Sequence, residues 1–144
     1  MILPDVNVLI YALRAGNDHH TVCRTWLDGV LAGDSQFGLS TLVLSAVVRI
    51  TTNPRLFRDP NTTDEAFAYC DALLAQPHCA RVEPGERHWE IFKRLCTESR
   101  TRGPRISDAW LAALAIEHRC TFVTLDSDFA RFPGLAWRRP DSHD

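Results

Sequence analysis

Four aspartates carry the chemistry this chain can do: Asp5, Asp108, Asp126 and Asp128. Asp5 ends the short apolar run Ile2-Leu3, Asp126 and Asp128 follow the apolar run of residues 121–125, and Asp108 opens a helical stretch. At a helix start, unpaired N–H groups and the positive dipole end keep a carboxylate ionised. Ligands of an open parallel α/β sheet gather beyond the carboxyl ends of its strands, so acids from three distant segments can share one cleft. Like charges a few ångströms apart raise one another's pKa, and a divalent cation resolves that conflict. An oxygen-only donor set without Cys or His favours Mg²⁺ or Mn²⁺ over zinc. Such ions serve phosphodiester hydrolysis by activating water and neutralising developing charge. Taken singly, each acid has a plainer use, as a turn, a cap or an Asx turn.

The elements that must position these acids follow from periodicity. Short strands are expected at residues 2–3, 36–39, 79–82, 121–125 and 135–137. Helices are expected at 6–13, at about 18–32 with Asn17 or Asp18 as cap, at 41–50 with Ser40 as cap and Asn53-Pro54 as stop, and at 63–76. Thr62 and Glu65 have the capping-box spacing for the last of these. A fifth helix after Pro84-Gly85 carries Trp89, Phe92 and Leu95 as a core stripe, an arginine-rich mobile loop spans 100–105, and Ser107 caps a sixth helix over 108–118. Short apolar strands alternating with helices predict an α/β fold: three layers, α/β/α, around a mainly parallel sheet of four to five strands.

With 144 residues, 45% hydrophobic and 24% charged, the chain predicts one domain over 1–139 and a disordered tail over 140–144. Asp5 interrupts the first apolar run before it could form a signal peptide, and no stretch approaches the ~20 apolar residues of a membrane span. Five cysteines without a C-x-x-C pair indicate neither a disulfide framework nor a zinc clip, and suit a reducing cytoplasm. A net charge of −2 speaks against a generally basic nucleic-acid-coating surface, although fifteen of the sixteen basic residues are arginine, the better phosphate binder.

Three segments then resemble one family. Asp5-Val6-Asn7-Val8-Leu9-Ile10-Tyr11-Ala12 is similar to the opening of PIN-domain toxins of the VapC type. Ser107-Asp108-Ala109-Trp110-Leu111-Ala112-Ala113-Leu114-Ala115 and Thr124-Leu125-Asp126-Ser127-Asp128-Phe129 resemble the family's two later acidic motifs. The likeness extends to Thr52-Asn53-Pro54-Arg55-Leu56-Phe57 and the ending Phe132-Pro133-Gly134-Leu135-Ala136-Trp137. It implies a PIN-like fold, Mg²⁺- or Mn²⁺-dependent endoribonuclease activity with Asp5, Asp108, Asp126 and Asp128 as metal ligands, a homodimer, RNA as substrate, and inhibition by a cognate VapB-type antitoxin.

One departure stands out. Many members carry a glutamate on the third helix in an x-E-x-x-R context, and this chain has Ser45-Ala46-Val47-Val48-Arg49, so Ala46 brings no ligand. Glu117 cannot replace it: nine helical residues put it about 13.5 Å from Asp108 and on the opposite side. Asn7 is expected to orient Asp5 or bind backbone, while Arg49 either meets a phosphate or forms a structural ion pair. Arg100, Arg102 and Arg105 either guide an RNA backbone or form a solvated loop. His19, His20 and Cys23 read as a solvated helix start, His78 and His88 as loop and packing residues. Two rival functions are a PIN-fold binding module disabled by Ala46 and a phosphatase using Asp5 as nucleophile. The second lacks the D-x-D pattern and any lysine but Lys93.

Overall fold

Five strands form one sheet: β1 (Ile2–Pro4), β2 (Phe37–Leu39), β3 (Cys79–Arg81), β4 (Thr121–Val123) and β5 (Trp137–Arg138). Their order is β3-β2-β1-β4-β5 and every neighbouring pair is parallel. The computed structural model describes residues 1–142; part of the expected tail, residues 143 and 144, lies outside them. Within 140–142, Pro140 is buried and the Ser142 N–H donates to the Arg139 carbonyl at 3.1 Å.

Six α-helices link the strands: α1 (Val6–Leu13), α2 (His20–Ala32), α3 (Thr41–Thr51), α4 (Thr63–Leu74), α5 (His88–Glu98) and α6 (Ile106–Glu117). The chain steps outward from β1 to β2 to β3, then returns to lay β4 against the other side of β1. Right-handed crossovers therefore place α1–α4 on one face and α5–α6 on the other. The helix contacts agree: α1 packs on α2 and α3, α3 on α4, and α5 on α6. The core between the layers includes Leu3, Leu9, Phe37, Val47, Leu95, Leu114 and Phe122, each almost fully removed from water. The near-continuous apolar character of α6, with residues 111–115 all buried, marks it as the most enclosed helix.

Local signals explain most boundaries. Thr62 and Glu65 form the expected capping box, with Glu65 N–H donating to Thr62 Oγ1 at 3.1 Å and Thr62 N–H to Glu65 Oε1 at 2.9 Å. Four expectations need correction. Helix α2 begins at His20 rather than just after Asn17, because the Asn17 side chain accepts the His19 N–H at 2.9 Å and donates to the Arg14 carbonyl at 2.6 Å, making a turn of its own. Ser40 holds the position before α3 but gives no side-chain cap. Helix α6 starts two residues early, because the 3₁₀ turn Gly103–Arg105 with Pro104 inside it runs straight into Ile106. Ser107 is thus a first-turn residue whose hydroxyl donates back to the Pro104 carbonyl at 3.1 Å. Trp89 leaves the expected core stripe: α5 buries His88, Ile91 and Leu95, and Trp89, one step of about 100° from His88, stays 64% exposed.

Both helices flanking the loop of residues 100–105 end in the same cap. After α5, Thr101 N–H reaches the Cys96 carbonyl and Arg100 N–H the Thr97 carbonyl; after α6, Cys120 N–H reaches Ala115 and Arg119 N–H reaches Ile116. These are Schellman motifs, and each puts an arginine in the left-handed position that usually falls to glycine, with φ of 53° at Arg100 and 55° at Arg119.

Candidate metal centre

The sheet order reverses at β1: β2 follows on one side and β4 arrives on the other. A crevice opens beyond the carboxyl ends of strands at such a switch point. Pro4 and Val123 are register partners at those ends, so the next residues, Asp5 and Thr124, emerge side by side. Asp5 is the N-cap of α1, its Oδ1 accepting the Val6 N–H at 2.8 Å, and its own N–H donates to the Val123 carbonyl at 2.8 Å.

Thr124 ties two of the acids together. Its hydroxyl donates to Asp5 Oδ2 at 2.7 Å and accepts the Asp126 N–H at 3.0 Å. Asn7 braces the same corner, accepting the Leu125 N–H at 3.2 Å and reaching Asp5 Oδ2 and Thr124 Oγ1 at 3.4 Å each. Asp126 caps the 3₁₀ turn Ser127–Arg131 by accepting the Asp128 N–H on Oδ1 at 2.9 Å, an Asx turn that leaves Oδ2 to accept from Arg105 at 3.3 Å. Asp108 projects from the first turn of α6.

Three of the four acids, Asp5, Asp108 and Asp126, line one cleft of about 610 Å³ together with Asn7, Ala46 and Arg49. Asp128 is not among the residues lining it; its side chain is 52% exposed and accepts from Arg105. Arg49 is exposed and forms no ion pair among the described residues, so the structural-pair alternative is not realised. Glu117 points away as expected: its carboxylate accepts the Gly85 and Arg87 N–H groups at 2.8 and 3.0 Å, capping the approach to α5.

Electrostatics reflect the crowding. Burial pushes the Asp5 carboxyl up to about 6, helped by the nearby charges of Asp108 and Asp126 and opposed by the hydrogen bonds from Thr124 and Val6. Asp108 is also raised, by burial first and then by Asp126, against the lowering effect of Arg105. Sequence reasoning missed what Arg105 does here. Its Nη1 lies 3.3 Å from both Asp108 Oδ2 and Asp126 Oδ2, and its Nη2 donates to Asp128 Oδ2. No pattern in the sequence could have shown it, because the reach of Arg105 depends on the turn Gly103–Arg105. Thr124, adjacent to an acidic motif, carried a weaker signal that was legible.

Among the described residues no group of three or more His, Cys, Asp or Glu side chains is placed so as to hold a metal ion. The donor set nonetheless suits an oxygen-seeking divalent ion. It consists of carboxylates, one of them buried, and the cleft has drawn a cation to the Asp108 and Asp126 oxygens. His19, His20 and Cys23 have other engagements, His20 Nδ1 lying 2.7 Å from the Tyr11 carbonyl and Cys23 being buried in the core. His88 Nε2 sits 3.0 Å from the Trp110 carbonyl, a packing role.

Comparison with known proteins gives this geometry a family. The PIN domain model matches residues 2–135. Ribonuclease VapC25 of Mycobacterium tuberculosis is 44% identical over 140 residues, covering 97% of this chain and 99% of the relative. Ribonuclease VapC31 of the same organism is 43% identical with the same coverage. Among solved structures, VapBC2 from Rickettsia felis, bound to a promoter DNA fragment, superposes with a TM-score of 0.69 over 96% of this chain and 98% of that one. Its 19% identity makes this a likeness of fold. By its family match and its end-to-end relatives, the chain belongs to the PIN domain family and groups there with the VapC ribonucleases.

Proposed function

We propose that this chain is the toxin of a type II toxin–antitoxin pair, an endoribonuclease that hydrolyses RNA phosphodiester bonds using Mg²⁺ or Mn²⁺ held by Asp5, Asp108, Asp126 and Asp128. The observation that carries the reading is the meeting of Asp5, Asp108 and Asp126, from three distant segments, in one cleft at the switch point of the sheet. The ribonuclease names of relatives above 40% identity support it.

A divalent ion bound there supplies positive charge against which phosphodiester oxygens can develop negative charge. The chain's own residues do the rest. Thr124, Asn7 and the Val6 N–H fix the Asp5 carboxylate, so its orientation costs nothing when substrate arrives. Asp108 and Asp126 offer their Oδ2 atoms to the same point, and Asp128 closes the outer side. Arg49, exposed on the α3 wall of the cleft, holds an RNA phosphate beside the reacting one. Ala46 leaves that wall without a carboxylate, which makes Asp128 a needed ligand rather than an accessory.

The protein works in the cytoplasm as a homodimer, held in check by a VapB-type antitoxin that offers a basic side chain to the acids. Five free cysteines suit that compartment, no helix among the described residues is long and apolar enough to cross a membrane, and fold neighbours are VapBC complexes. The test is incubation of antitoxin-free protein with a pool of structured RNAs and Mg²⁺ or Mn²⁺, beside EDTA and Asp126→Asn. Discrete cleavage lost in both controls is expected. Intact RNA with a folded, Mn²⁺-binding protein would favour the second reading, a binding module disabled by Ala46.

A further inference from the structure

Among the described residues, Arg105 is the one side chain that reaches three of the four acids, and it occupies oxygens a ligated ion would need. Its Nη1 is shared between Asp108 Oδ2 and Asp126 Oδ2, so a guanidinium N–H group and a divalent ion cannot both be served by that pair. The side chain is 41% exposed and meets Asp108 and Asp126, two of the residues that line the cleft, at 3.3 Å each. Its backbone allows a swing: Gly103, two residues back, has φ of +65° and open space where a Cβ would sit, and Arg105 ends a single 3₁₀ turn. The charge of a second cation, Arg131, also acts on Asp108 and lowers its pKa.

We propose that Arg105 is an internal stand-in for the divalent ion: it neutralises the acids in the metal-free chain, is exchanged when the ion binds, and then serves as a substrate-phosphate ligand. This rests on the metal-dependent nuclease reading above. The exchange follows from charge. Three carboxylates, those of Asp108, Asp126 and Asp128, hold the arginine, but an ion of twice the charge on the same oxygens reverses the balance, since guanidinium and ion then repel. Arg105 stays tethered three residues from Asp108, so its fork of donors comes free next to the place where RNA must lie. Planar bidentate binding of a phosphate is what that fork does best. The coupling makes substrate affinity conditional on the ion, so the metal-free chain grips RNA only weakly through this residue.

The experiment titrates Mn²⁺ alone, by the loss of its free-ion electron paramagnetic resonance signal, into the wild-type chain and into Arg105→Ala. It then measures binding of a phosphorothioate RNA that resists cleavage, with Mn²⁺ and with EDTA. Removing a unit charge a few ångströms from a divalent ion is expected to tighten Mn²⁺ binding roughly tenfold at near-aqueous screening. The same variant is expected to weaken RNA binding in Mn²⁺ and leave it unchanged in EDTA, with the salt dependence in Mn²⁺ reduced by about one charge. Arg105→Lys, which keeps the charge and loses the fork, should restore the weaker Mn²⁺ binding but not the RNA affinity. Unchanged or weaker Mn²⁺ binding in Arg105→Ala would show that Arg105 merely braces the acids, and equal RNA loss with and without Mn²⁺ would show ordinary charge attraction; either overturns the proposal alone. Absence of Mn²⁺ binding in both chains overturns the metal reading and this proposal with it.

Discussion

Burial holds the Asp5 carboxyl at about 6, above its ordinary value of 3.8, and this has a stability consequence in the metal-free chain. The folded state binds the Asp5 proton more tightly than the unfolded state, so this group's contribution to stability is present below about pH 4 and is lost as pH rises through 6. Two pKa units correspond to about 3 kcal/mol. Asp5→Asn abolishes that loss while keeping an oxygen for the Val6 N–H; an NH2 group replaces the oxygen that accepts from Thr124. Urea unfolding in EDTA should find the variant more stable than wild type at pH 7.5, by 1 to 3 kcal/mol in order of magnitude, and hardly different at pH 4. A less stable variant at pH 7.5 would mean that the hydrogen bonds to Asp5 outweigh its burial. At this scale the acids were readable because carboxylates after strands and at helix starts leave a mark in the sequence. The Arg105 contact was not: alternating basic residues 100, 102 and 105 look the same whether they face solvent or turn inward.

Element boundaries follow local chemistry wherever a side chain caps its own helix, as Thr62 and Glu65 do for α4. They fail where the cap comes from elsewhere in the chain. Nothing in the segment 84–88 announces that Glu117, some thirty residues on, will accept the Gly85 and Arg87 N–H groups ahead of α5. Glu117→Ala should therefore leave two backbone donors without their partner and destabilise the protein by about 1 to 3 kcal/mol, read as a lower urea midpoint, without changing Mn²⁺ affinity. The left-handed arginines make the opposite forecast. Arg119→Gly relieves a φ of 55° in the Schellman motif after α6, and a gain of about 1 kcal/mol is expected from thermal unfolding. Trp89 shows the limit of periodicity: a helix with apolar residues on two adjacent faces does not say which face the sheet will cover, and α5 chose His88, Ile91 and Leu95.

At the scale of the molecule, the acids become a site only because β1 and β4 are neighbours. Segments around residues 5, 108 and 126 are far apart in the unfolded chain, so a divalent ion held among them would bind the native state far better than the denatured one. Mn²⁺ at a hundred times its dissociation constant should stabilise the wild-type chain by about 2.7 kcal/mol, and Asp126→Asn should lose that gain. The parallel α/β class and the place of its cleft were legible in the alternation of strands and helices. The neighbour relation of β1 and β4 came from the return of the chain after β3, which short apolar runs of similar composition cannot encode individually. The central claim, one divalent ion held among Asp5, Asp108, Asp126 and Asp128, is tested most directly by anomalous diffraction from a crystal of this chain soaked in Mn²⁺. A peak within ligand distance of Asp108 Oδ2 and Asp126 Oδ2, with the Arg105 guanidinium moved off them, is the expected result. An ordered site with Arg105 still bridging the acids and no peak among them at saturating Mn²⁺ would contradict it.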